Sequence, residues 1–202
     1  MSNKTPVEKT LKNKNLIVPK SLPFGDIFVS KPARMLEWFG AVNDQNLFQT
    51  IASIKSLLKE NREEEIQLLI NSHGGATGIG MSFHDAMHSL LRPNLTTIGS
   101  GDVDSSGVIL LLSGTRRFLT RNTTLLLHLA GRNFGTDKRF STLDMENLLK
   151  GDKLKDYQYA CVVSNATSGH LNPEDVLEMM KNETVLNAEE AVNMGLAHKV
   201  LD

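Results

Sequence analysis

EIQLLINSHGGATGIGMSFHDAMHSLLRPNLTTIGSG, residues 65–101, holds the pattern on which the fold turns. EIQLLINS is a compact apolar run of strand length that ends at His73-Gly74-Gly75. MSFHDAMHSLL reads as a helix closed by Pro93, and LTTIGS is a second strand that stops at Gly101. Strand, glycine turn, helix, strand is a βαβ unit, which predicts two parallel strands joined by a right-handed crossover.

Outward from this unit the texture stays α/β. On the N-terminal side, MLEWFG is a short strand candidate, and Asn43 or Asp44 opens a helix that carries Leu47, Ile51, Ile54, Leu57 and Leu58 on one stripe. On the C-terminal side, SSGVILLLSG fits a short buried helix or a strand, while RRFLT and TTLLLHL read as strands. A helix is expected from about Ser141 to Asn165, with Leu143, Leu148, Leu149, Leu154, Tyr157 and Cys161 as its apolar stripe. Asn172-Pro173-Glu174-Asp175 is a helix start, Asn187 and Glu190 form a second one, and Gly195 sits where a helix-ending glycine belongs. LAHKVLD is the closing strand. Residues 1–33, rich in Lys, Asn, Pro and Ser, read as an extended arm ahead of one domain, 34–202.

The 202 residues suit a single domain, and 40% hydrophobic against 22% charged residues is the balance of an ordinary globular core. Twenty-two Lys plus Arg against 23 Asp plus Glu leave no positive field for nucleic acid or an anionic membrane. A single cysteine, Cys161, excludes an internal disulfide and a multi-thiolate metal site. The lysine-containing N-terminus lacks the apolar run of a signal peptide, and no segment approaches a membrane span, so a cytoplasmic protein is expected.

Several constellations have chemical potential. The SHGGATGIG turn presents backbone amides suited to an anion, although its spacing does not fit the G-x-G-x-x-G of a dinucleotide site. Ser105-Ser106-Gly107 places a serine at the mouth of an apolar segment, where adjacent amides can face an oxyanion; a plain helix cap is the competing reading. His128 ends a strongly apolar run and needs a partner there. His84 and His88 lie four apart on one helix with His73 nearby, but no acidic third ligand has metal-site spacing, so no metal is expected.

Taken in order, these residues resemble the proteolytic subunit of the Clp protease, a serine peptidase family of crotonase-like fold. The likeness runs from about Arg34 to Leu201. Ile70-Asn71-Ser72-His73-Gly74-Gly75 and the helix after it match one motif, Gly101 to Gly107 the nucleophile stretch, Leu126-Leu127-His128-Leu129 the histidine stretch, and Glu183 through Gly195-Leu196 the closing segment.

The resemblance implies an α/β fold of repeated β-β-α units with a protruding strand-helix handle at about 131–165. It implies a catalytic triad of Ser105, His128 and Glu183, and an oxyanion hole from the amides of Gly75 and Ser106. It implies no cofactor and no metal. It also implies peptide or unfolded-protein substrates cut inside a chamber, a homo-oligomeric heptameric ring with a second ring stacked on it in the family pattern, and an AAA+ unfoldase partner. No nucleic acid and no membrane enter this picture.

The sequence departs from the family at Glu183, where Asp is usual, at Asp102 and Asp104, where small neutral residues are usual, at His73 for proline and at Asn182 for arginine. A carboxylate at 104 that faces the oxyanion would oppose the charge developing there; one that faces away would not. A catalytically inactive ring subunit and a crotonase-type acyl-CoA enzyme are the alternatives, the latter sharing the paired-amide oxyanion site. An α/β-hydrolase is disfavoured because Ser105 lacks the G-x-S-x-G context.

Overall fold

The computed structural model describes residues 28–132, 134–135 and 139–201. Most of the expected arm, 1–33, therefore lies outside the described residues. The chain forms β1 (Met35–Phe39), α1 (Asp44–Glu60), β2 (Ile66–Ser72), α2 (Thr77–Asp85) and β3 (Leu95–Val103). β1, β2 and β3 pair in parallel, with Leu36 opposite Leu68 and Leu68 opposite Thr97, as the βαβ reading requires. β4 (Arg116–Thr120) and β7 (Lys199–Leu201) complete a parallel sheet in the order β1-β2-β3-β4-β7.

Between β3 and β4 runs α3 (Ser106–Leu112), buried at every position. An apolar run without a polar face is ambiguous in sequence because both a strand and a helix can be buried all round. Here Val108 through Leu112 pack as a helix, and with Ile66, Leu68, Ile70 and the edge-to-face pair Trp38 and Phe83 they form the core. Each of these large aliphatic side chains contributes roughly 1.5–3 kcal/mol through burial.

Local signals fix the helix ends. The Asn43 side chain accepts from the Asn46 amide and starts α1. Asn172 and Asp175 form a reciprocal cap on α5 (Pro173–Lys181), with Pro173 in the first turn, and Asn187 and Glu190 do the same for α6 (Ala188–Asn193). α2 extends as a π-helical turn over Ala86–Leu91 and stops at Arg92, whose φ of 47° ends the helix one residue before Pro93.

The remaining strands stand apart from the main order. β5 (Thr124–Leu127) touches β3 in parallel at Asp102 and Thr124, and pairs antiparallel with β6 (Thr184–Asn187). β6 is absent from the sequence reading. The long helix α4 (Thr142–Ala166) forms as expected, started by Ser141 and Asp144. Its buried face corrects the expected stripe: Tyr159, Ala160, Val163 and Ser164 pack inward, whereas Leu143, Leu149, Leu154 and Tyr157 are exposed. The described residues of 131–141 carry no strand, so α4 supplies the handle's helix without the strand half among those residues.

On the sheet face away from α3, Arg116 donates to Glu65 Oε1 at 2.8 Å, and the Thr96 hydroxyl donates to the same oxygen; all three residues are buried. Removing one member of such a pair leaves a buried charge without its partner, and the loss is typically about 3–5 kcal/mol. Arg116→Met is expected to destabilise the fold by that amount in urea denaturation. The double variant Glu65→Leu/Arg116→Met is expected to recover most of it. A single variant as stable as the parent would show that the pair is solvated.

Candidate active site

The joint between β3 and α3 is built around Ser105, whose φ of 55° and ψ of −126° are strained for a residue with a side chain. Bonds on both sides impose that conformation. The Asp104 amide donates to Ser72 O at 2.8 Å, the Ser105 amide to Leu126 O at 2.8 Å, and the Tyr159 hydroxyl to Ser105 O at 3.0 Å. The strain, of order 1–3 kcal/mol, persists because the surroundings over-determine it.

The glycine turn after β2 faces this serine. A Cβ on Gly74 would lie 2.6 Å from Ser105 Cβ and 2.9 Å from Asp104 O, and one on Gly75 would lie 2.5 Å from Val42 O. Both glycines have positive φ, 90° and 149°, so the turn needs glycine for conformation and for approach. Val42 clamps it, its amide donating to Gly74 O at 2.8 Å and its carbonyl accepting from Ala76 at 2.9 Å. The Ser106 hydroxyl donates to Gly75 O at 2.9 Å and ties turn to helix. Among the described residues the Gly75 and Ser106 amides donate to no protein acceptor, Ser106 being the first residue of α3.

His128 follows β5 directly and is half-buried. The β5–β6 register pairs Leu126 with Val185 and Leu127 with Thr184, so the next positions outward are His128 and Glu183. The backbone thus draws together the Ser105 joint, bonded at Leu126, the histidine two residues on, and the acid across the ladder. The side chains are less tightly joined. Glu183 is exposed, has a φ of 47°, and spends its amide on Met180 O at 3.2 Å. No hydrogen bond links the Ser105 hydroxyl, the His128 ring and the Glu183 carboxylate among the described residues.

Asp104, directly before the nucleophile candidate, is half-buried. Burial, and then the charge of Asp102, push its pKa above the ordinary carboxylate range; the Leu126 amide, His128 and His73 act in the opposite sense. Tyr159, fully enclosed, is pushed far up by burial and then by Asp104. The signals in the sequence were the Asp-Ser junction itself and a tyrosine on the inward face of α4. His73 is exposed at the turn. His84 and His88 stack on α2 and its π turn with ring centroids 4.3 Å apart, and among the described residues no group of three or more His, Cys, Asp or Glu could hold a metal. No helix among them is long and apolar enough to cross a membrane.

The backbone thus brings the Ser105 joint, the open amides of Gly75 and Ser106, and His128 to one region of the fold. The sequence profile of the family described as Clp protease matches residues 31–202, and the chain belongs to that family. One relative, the ATP-dependent Clp protease proteolytic subunit 1 of Leifsonia xyli subsp. xyli (strain CTCB07), is 37% identical over 102 residues, 48% of this chain and 51% of that protein. The match therefore spans about half of that relative's length.

The raised pKa of Asp104 has a sign. Its carboxyl holds its proton more strongly folded than unfolded, so ionisation disfavours the fold at pH values above the ordinary carboxylate range. Asp104→Asn keeps the size and a polar head group and removes the charge. It is expected to melt higher than the parent at pH 7, the two converging as pH falls through the ordinary carboxylate range. A lower melting temperature at pH 7 would show that the charge is net stabilising.

Proposed function

We propose that this chain is the proteolytic subunit of an ATP-dependent ring protease, a serine endopeptidase that cuts peptides and unfolded proteins inside a chamber. The observation that carries the reading is Ser105, held at positive φ between the Leu126 carbonyl and the Gly74-Gly75 turn, with the unbonded amides of Gly75 and Ser106 beside it.

In the proposed cycle His128 accepts the Ser105 proton as Oγ attacks the peptide carbonyl. The oxyanion forms toward the Gly75 and Ser106 amides, each such donor being worth about 3 kcal/mol in the transition state. His128 then returns its proton to the departing amine. Water, deprotonated by the same imidazole, hydrolyses the acyl-enzyme. Glu183, opposite His128 in the extended β5–β6 register, is the proposed orienting acid. The cycle needs no metal and no organic cofactor.

A peptidase that relies on a chamber assembles. The exposed Leu143, Met145, Leu149, Leu154 and Tyr157 on α4 support self-association through the handle, and the family pattern supports a heptameric ring, a second stacked ring and an AAA+ unfoldase. A cytoplasmic setting accords with this assignment. One observation favours a second reading, an inactive ring subunit on the same fold: the Glu183 carboxylate is exposed and hydrogen-bonded to neither His128 nor any other described residue.

A fluorophosphonate probe separates the two. Labelling is expected at Ser105, lost in Ser105→Ala and slowed by about 10⁴-fold in His128→Ala. Absence of labelling in folded, assembled protein would favour the inactive subunit. Light scattering is expected to give a mass of about seven or fourteen copies, and a monomer at micromolar concentration would sink the ring.

A further inference from the structure

Away from Ser105, between α2 with its π turn, the end of α4 and the approach to β7, lies a cavity of about 360 Å³. Its lining includes His84, His88, Arg117, Asn165, Ser168 and His198. Arg117 is half-buried and gives its guanidinium to carbonyls: Nε to Leu196 O at 2.8 Å, Nη2 to Ala166 O and Gly195 O at 3.2 Å each, and Nη1 to Gly114 O at 3.4 Å. Among the described residues no carboxylate pairs with it. Carbonyl dipoles solvate a guanidinium but leave its charge unneutralised, an arrangement that is costly in a protein interior.

The acids near the other cationic side chains lie outside the cavity lining. His198 Nδ1 accepts the Arg117 amide at 3.0 Å, which leaves Nε2 as its N–H, and burial with the nearby Arg117 and Arg116 lowers its pKa to about 4. Arg116 itself is paired with Glu65. His88 Nε2 lies 3.3 Å from Leu112 O. His84 Nδ1 is shut from solvent and has no hydrogen-bond partner, its nearest acid being Asp85 Oδ1 at 3.7 Å. Asp85 is exposed and outside the cavity lining, and the end of α4 and the turn after it contribute the neutral Asn165 and Ser168.

We propose that this cavity is a binding site for a phosphate-type oxyanion carried on a small organic molecule, independent of the proteolytic reading. A bound oxyanion would neutralise Arg117 and accept from the N–H of His198. Side chains from several elements line the cavity, an arrangement that suits a tetrahedral anion better than a planar carboxylate, and Asn165 and Ser168 can bind the anion or what it is attached to. The cavity is several times larger than one phosphate group, leaving room for that remainder. Negative charge placed there opposes the lowering of the His84 and His198 pKa values, so binding takes up protons and strengthens as pH falls.

The test uses the full chain as it assembles, with inorganic phosphate, sulfate and acetate as probes at matched ionic strength. Histidine ring resonances report the site directly, and calorimetry reports affinity. Phosphate is expected to shift the rings of His84, His88 and His198 while leaving His170 unchanged. Sulfate, whose charge is constant over the range, is expected to bind several-fold more tightly at pH 6 than at pH 8. His84→Gln/His88→Gln, which leaves the Arg117 framework intact, is expected to weaken binding about tenfold, and Arg117→Lys to weaken it further if it folds. Unmoved resonances at millimolar phosphate, or equal affinity in the His84→Gln/His88→Gln variant, would overturn the site. Acetate as effective as phosphate would overturn the tetrahedral-anion assignment.

Discussion

The place where β3 becomes α3 allows the chain no slack, and the candidate site depends on that constraint. β3 serves β4 along Thr96–Gly99 and then meets β5 at Asp102, so its last residues are held between β2, through Ser72, and β5, through Leu126. A buried backbone must place every amide and carbonyl, and a loop in this position would strand several. The chain turns in a single residue instead. Ser105 takes the left-handed conformation, and α3 runs straight into the core. The hydroxyl is exposed to chemistry because its backbone is used up by structure. A serine that was merely a helix cap would turn its side chain back onto the α3 amides, and Ser105 makes no such bond.

That joint also decides which neighbours are tolerable. Gly74 lies against Ser105, and Gly75 lies against Val42 at closer range than any side chain permits. The amide of Gly75 stays open because the carbonyl of the same residue is taken by the Ser106 hydroxyl and the flanking amides are taken by Ser72 and Val42. The open amides follow from saturation of everything around them.

Where local chemistry alone determines structure, the sequence could be read. The caps at Asn172 and Asn187, the Pro173 start, the Gly195 stop and the parallel β2–β3 pair follow from short-range physics, and each forms. The misreadings have a common cause. Thr184–Asn187 is a strand because β5 offers it an edge, and four residues of mixed polarity do not announce that pairing. The apolar residues of α4 recur at helical spacing, but spacing cannot say which stripe meets this chain and which is left for another; Tyr159 and Val163 turn inward while Leu149 and Leu154 face out. In the candidate site, Ser105, His128, Gly75 and Ser106 can be nominated from the sequence because their motifs are contiguous, and their roles stand as proposals. The position of the Asp104 carboxyl cannot, since its direction depends on β5, a strand distant in the chain.

The two acids near the joint illustrate what position does to charge. Asp102 and Asp104 are alternate residues, yet Asp102 is exposed while Asp104 is half-buried, where the Leu126 amide and the charge of His128 partly offset the cost of burial. In the proposed cycle the transition state carries a cation on the imidazole and an anion near the Gly75 and Ser106 amides, and one fixed carboxylate acts on both. Coulomb energies fall with distance and with solvent access, so the balance depends on which developing charge Asp104 meets through less water. Leu126 and His128, which both act on the Asp104 carboxyl, lie on β5 and directly after it, whereas the open amides belong to the glycine turn and α3. In the proposed cycle that asymmetry favours support of the imidazolium over opposition to the oxyanion. The same proposal leaves Glu183, exposed and screened by solvent, to act through orientation, which asks only that its longer side chain reach His128 during the reaction.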